Sequence, residues 1–214
     1  MILDKKTVKS FFRLSNINSV IKFLTLSDIL LIGSFGLIAP IFAVFVTDSL
    51  VDGSLEVVGI ASTVYLLTKS VFQLLAAAIA DKIKGEKDDF WVMIVSSIIM
   101  SLIPLLYLAI STAWHLYIVQ FIYGLAAAFS YPAWMAIFTR HIDKNSEGRE
   151  WGVYYTLTDL AAAGTAAIGG VVAYHFGFAP LFVTVSIVSL IGALSLGGIY
   201  KVVNKKGLID RIIK

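Results

Sequence analysis

Three ionisable residues, Asp28, Lys69 and Asp159, stand inside long apolar runs of this 214-residue chain. At the centre of a hydrocarbon layer each costs about 2.5–3.5 kcal/mol on the insertion scale, so such a group is a functional candidate, with a buried ion pair as the structural alternative. Lys69 is the one basic residue so placed; the other Lys and Arg fall near the termini or in alternate gaps between apolar runs. Counted at 1.5 Å per residue, Lys69 lies about 16 Å and Asp159 about 13 Å from the expected cytoplasmic ends of their runs, depths at which the two can pair. Tyr65, Lys69 and Gln73 share one helical face, and Tyr155, Asp159, Ala162, Ala166 and Gly170 share another. Asp28 lies only about two turns deep, where its carboxylate can reach cytoplasmic water. Its face continues through Phe35, Ala39 and Phe42. A further face carries Gln120, Tyr123, Ala127, Tyr131 and Trp134, which suits an aromatic-lined cavity, although packing is the commoner meaning of such a stripe.

The elements that must position these residues follow from composition. Apolar residues make up 58% of the chain and charged ones 14%, against about half and a quarter in soluble domains. Six runs reach the length of about 20 residues that a membrane-crossing helix needs: 19–47, 57–80, 90–110, 114–138, 151–174 and 178–203. Lys and Arg collect before the first run, in the second and fourth gaps and after the last run, whereas the first gap holds Asp48, Asp52 and Glu56. The positive-inside rule therefore places both termini in the cytoplasm of a multi-pass cell-membrane protein. Residues 1–18 and 204–214 read as amphipathic segments lying on that surface. No cleavable signal peptide is expected, because the first apolar run is too long. Absence of cysteine excludes disulfides and thiolate metal sites; no metal, cofactor or nucleic-acid partner is expected, and the basic balance suits an anionic inner leaflet. Pro40, Pro104 and Pro132 predict kinks. Stripes of alanine and glycine in the second, fourth and fifth runs predict close helix contacts.

Residues 77–87 (AAIADKIKGEK), with Asp81, Lys82, Gly85 and Lys87, resemble the cytoplasmic loop signature of the major facilitator superfamily, Gly-x-x-x-Asp-Arg/Lys-x-Gly-Arg/Lys-Arg/Lys. Alanine replaces its first glycine, and one residue is inserted before Gly85. Gly36 to Pro40 resembles the Gly-x-x-x-Pro segment of drug-exporting members. Gln120 to Gly124 resembles the fourth-span Arg-x-x-x-Gly pattern, and Gly169-Gly170 the end of the fifth-span antiporter pattern. Glutamine stands where the family's proton-coupling arginine belongs, and Thr165-Ala166 replace its Gly-Pro, both of which weigh against proton antiport. The resemblance implies a six-helix half of a twelve-span transporter, with solute held between halves near the midplane. It further implies a cavity lined by spans one and four, hence Asp28, Phe35, Phe42, Gln120, Tyr123, Tyr131 and Trp134. A chain that looks like one half, alone, predicts a parallel homodimer. In the family, span two packs on the counterpart of span five, so Lys69 and Asp159, with Gln73 and Tyr155 beside them, are expected to pair across protomers as a gate or coupling site.

The expected function is thus secondary transport of a small lipophilic or amphipathic solute, with a coupling proton as a further partner. A heterodimeric half-transporter and a non-transporting scaffold or relict of the same fold are the alternatives. Enzyme chemistry is not expected: Gly33-Ser34-Phe35-Gly36 has the wrong order for an intramembrane serine nucleophile, and the histidines sit at helix ends or in loops, away from where its base would have to lie.

Overall fold

The computed structural model describes residues 17–82 and 85–204. The proposed amphipathic N-terminal segment, but for its last two residues, and all but the first residue of the tail lie outside the described residues. Six helical spans cross the bundle: span 1 Ser19–Ser49, span 2 Leu55–Lys82, span 3 Glu86–Leu106, span 4 Ala113–His141, span 5 Glu147–Phe176 and span 6 Phe178–Asn204. Each is long and apolar enough to traverse a bilayer. Odd-numbered spans run away from the end that carries both termini, called here the terminal end, and even-numbered spans return to it.

Span 1 starts where the Asn18 side chain accepts the Val20 N–H at 2.9 Å, an N-cap that satisfies one of the four free donors of a helix start. It breaks after Gly36, passes through a 3-10 turn at Ala39–Ile41, and resumes as Phe42–Ser49. Pro40 lies in that turn; it has no N–H to donate and its ring opposes a continuous helix, which explains the interruption. Pro104 and Pro132, by contrast, sit within continuous helices.

Span 2 packs on span 4, span 5 on span 1, and spans 3 and 6 close the bundle between them. The seam between spans 1 and 5 is built from small residues. Thr165 Oγ1 donates to the Gly33 carbonyl at 2.5 Å, and a side chain at Gly169 would strike the Leu37 carbonyl freed by the break in span 1. In lipid, where apolar surface alone gives helices little reason to associate, such close backbone approach is what holds them.

Two apolar cores lie above one another. Leu24, Phe90, Met93, Ile137 and Phe138 fill the terminal half; Phe45, Ile103, Leu116 and Phe182 fill the far half. At the rim of the terminal half, Arg140 Nη1 donates to Asp89 Oδ2 at 2.5 Å, with the Asp89 side chain 5% exposed. Arg140→Ala strands that carboxylate, at a cost of about 1–3 kcal/mol. The expected result is a lower unfolding temperature in detergent, partly restored when Asp89→Asn is added.

Burial is uneven. In spans 2 and 5 only 11% of the apolar window is buried within the chain, against 39% or 44% in the other four. The alanine and glycine stripe of span 5 divides accordingly. Ala161, Ala162, Thr165 and Gly169 meet span 1, while a Cβ added at Gly152, Gly164 or Gly170 would meet nothing within 4 Å. Span 2 likewise leaves open space beside Gly59 and Ser62, Thr63 and Ser70 exposed.

Candidate functional site

Between the two apolar cores lies a cavity of about 260 Å³, open on one side and lined mainly from spans 1, 2 and 4. Helical spacing explains its walls. Asp28, Leu31, Ile32 and Phe35 repeat along one face of span 1; Tyr65 and Lys69 do so on span 2; Tyr123, Ala127, Ser130, Tyr131 and Trp134 do so on span 4. Gly124 lets spans 2 and 4 come together there, because a Cβ at that position would stand 2.6 Å from the Tyr65 carbonyl oxygen.

Toward the far end the cavity is closed by aromatic rings. Phe35 stacks on Tyr123 with centroids 5.4 Å apart and planes at 17°, and Tyr65 lies 4.6 Å from Tyr123. Toward the terminal end a second aromatic layer begins with Trp134, stacked 4.7 Å from Phe138 and 4.9 Å from Tyr154. Polar groups sit between these layers. Tyr154 Oη donates to Asp28 Oδ2 at 2.7 Å, tying span 5 to span 1. Ser97 and Ser130 share a hydrogen bond of 3.3 Å. Lys69 Nζ stands 5.2 Å from the centroid of the Tyr131 ring, within reach of a cation–π attraction. The Trp134 indole N–H is buried and has no hydrogen-bond partner among the described residues.

The structure brings Asp28, Phe35, Tyr123, Tyr131 and Trp134 together around this cavity, and Lys69 with them. Phe42 and Gln120 lie outside it. Phe42 packs on Phe45 and Tyr107 in the far core, because the break in span 1 turns the helix before that residue is reached. Gln120 is buried and its Nε2 donates to Tyr107 Oη at 3.4 Å, so its amide is spent on holding span 4 to span 3. Lys69, expected at the interface between protomers rather than in the solute pocket, is part of the cavity wall. Asp159 and Tyr155 are exposed on the outer face of span 5, with Tyr155 stacked on Trp151. Gln73 is half-buried and away from the cavity. Asp81 and Lys82 end span 2 exposed, Gly85 precedes span 3, and Lys87 is exposed in its first turn. Residues 83–84 of that loop lie outside the described residues.

Tyr154 was missed by sequence reasoning, which chose Tyr155 for its spacing to Asp159. The available signal was Tyr154's own repeat with Thr158, Ala161, Thr165 and Gly169, the small-residue seam that faces span 1. Ser97, beside Ser96, and Ser130, beside Tyr131, gave no signal, since nothing in the spacing of these small hydroxyls pairs one helix with the other.

Six helices long and apolar enough to cross a membrane, around a charged, aromatic-walled cavity at mid-span, make the architecture of a polytopic membrane protein. The family model described as Major Facilitator Superfamily matches residues 24–208, and the chain belongs to that superfamily. Among solved structures, it is similar to the POT family transporter PepTSo, described from its in meso crystal structure, with a TM-score of 0.68 and 16% identity. That likeness concerns the fold. It covers 85% of this chain and 37% of the transporter, so the chain spans a little over a third of the length of that relative. No curated protein sequence matches the chain.

Proposed function

We propose that the protein is a secondary active transporter of a small amphipathic or lipophilic solute, working as a homodimer by alternating access with both termini in the cytoplasm. The observation that carries this reading is the open-sided cavity flanked by two helices whose small-residue faces have no cover within the chain. Glycines and small hydroxyls at such a face favour a helix partner over lipid tails. A second copy, related by a two-fold axis, lays span 5 of one protomer on span 2 of the other and encloses one shared cavity. Asp159 of a second copy then approaches Lys69, giving the exposed carboxylate a partner and the dimer a gate. Asp28, held by Tyr154, is the site for a coupling proton.

The absence of cysteine makes the interface directly testable. Leu66 in span 2 and Ala163 in span 5 are exposed at matching depth from the terminal end. Leu66→Cys combined with Ala163→Cys is expected to give an oxidant-dependent covalent dimer in native membranes, and each single variant much less. A chain that remains monomeric under these conditions, or that cross-links only to a different protein, defeats the homodimer. Solute flux into vesicles containing the purified dimer tests transport itself; a sealed, folded dimer that moves no solute favours a scaffold.

A further inference from the structure

The cavity holds two opposite charges that do not pair with each other. Lys69 makes no ion pair within 4.0 Å among the described residues and lies over the Tyr131 ring instead. Asp28 accepts the Tyr154 hydroxyl on Oδ2, while its Oδ1 accepts no hydrogen bond among the described residues. The third unfilled group is the Trp134 indole N–H, in a residue only 5% exposed. Tyr131 and Trp134 are one helical turn apart on span 4, and both residues line the cavity. One side of the cavity thus offers an ammonium, and another offers a carboxylate oxygen.

Buried polar groups left without partners are costly, and charges more so. An entering neutral apolar molecule would leave the ammonium and Oδ1 of Asp28 unmatched. A lone anion would satisfy Lys69 but meet the Asp28 carboxylate, and a lone cation would satisfy Asp28 but meet Lys69. Only a molecule carrying both charges, in the reverse order, matches the whole set. The rings of Phe35, Tyr65 and Tyr123 supply the surface for its apolar part.

We infer that the solute is a small aromatic or apolar zwitterion: its acidic group sits against Lys69 Nζ, and its ammonium sits against Oδ1 of Asp28. This rests on the transporter reading for the purpose of the cavity, but its content is the chemistry of what binds. It also gives the gate a trigger, because the solute's acidic group and Asp159 of a second copy compete for the same ammonium.

The test compares three probes on the full chain in lipid nanodiscs by titration calorimetry: phenylalanine, phenylpropionate and phenethylamine. They share a ring and carry both charges, the acid alone and the amine alone. Phenylalanine is expected to bind about tenfold or more tightly than either single-charge probe, the scale of one charge-assisted hydrogen bond. Lys69→Gln should reduce phenylalanine to the level of phenethylamine, and Asp28→Asn to that of phenylpropionate. The proposal is overturned if no probe binds, or if a single-charge probe binds as tightly as phenylalanine; both comparisons use the unmodified protein and do not depend on any variant folding. Phenylalanine that binds in the expected pattern but is not moved by the reconstituted protein overturns the transport reading and leaves this one intact. Flux of probes without preference for the zwitterion does the reverse.

Discussion

Gly124→Val is expected to part span 4 from span 2 and to remove one wall of the cavity with it. A Cβ at this position would lie 2.6 Å from the Tyr65 carbonyl oxygen, 3.0 Å from the Thr68 Cβ and 3.3 Å from the Lys69 amide nitrogen. Two of these neighbours are backbone atoms of a helix interior, which cannot rotate aside as a side-chain tip can, so relief requires moving the whole helix. Overpacking of this kind costs about 3 kcal/mol or more when the obstacle is backbone. That exceeds the gain of about 1 kcal/mol which replacing a helical glycine by alanine would otherwise bring. Thermal unfolding in detergent should show a large fall for Gly124→Val and a smaller fall of the same sign for Gly124→Ala. Gly170→Ala is the control within one protomer, since nothing approaches its Cβ position within 4 Å. It should leave monomer unfolding unchanged or slightly raised and, if span 5 docks on a second copy, weaken the dimer.

The contrast between Gly124 and Gly170 also marks how far the sequence could be read. Six apolar runs separated by gaps of alternating charge sufficed for a six-helix bundle, because in hydrocarbon every backbone group must be satisfied within its own helix and few other structures are available. Periodicity then placed Asp28, Phe35, Tyr123, Tyr131 and Trp134 on two faces that the structure brings to one cavity. What periodicity could not supply was which of two adjacent faces looks inward. Tyr154 and Tyr155 differ by one position, yet one bonds to Asp28 and the other lies exposed. The break at Ala39–Ile41 had the same effect on Phe42: a straight helix would carry the Asp28 face as far as Phe42, and the 3-10 turn rotates it away. Gln120 failed for a different reason. A buried amide must find a partner somewhere, and whether that partner is a solute or Tyr107 depends on a neighbouring helix that local spacing does not describe.

Asp28→Asn is expected to reduce solute flux by about 10- to 100-fold while leaving the protein folded, which corresponds to about 1.5–3 kcal/mol, the worth of a hydrogen bond to a charged group. Two readings of Asp28 make opposite forecasts. If its carboxylate only stitches span 1 to span 5 through Tyr154, asparagine preserves the stitch, because its side-chain oxygen still accepts the phenolic O–H, and flux should hold. If instead the charge receives the solute ammonium or a coupling proton, asparagine preserves the bond between helices and removes the function. Tyr154→Phe separates the same readings from the other side. The ring stays packed 4.9 Å from Trp134 and 5.5 Å from Phe138, only the hydroxyl is lost, and Asp28 keeps its charge. A stitching role then predicts that Tyr154→Phe lowers the unfolding temperature more than Asp28→Asn does. A transport role predicts that Asp28→Asn lowers flux more than Tyr154→Phe does, the latter by about tenfold or less, since a charge without its positioning hydroxyl still attracts a cation. Flux into vesicles and unfolding in detergent, measured on both variants, decide between the two. Agreement of flux with unfolding temperature across the pair would reduce Asp28 to a structural residue and leave Lys69 as the only charge in the cavity with a claim on the solute.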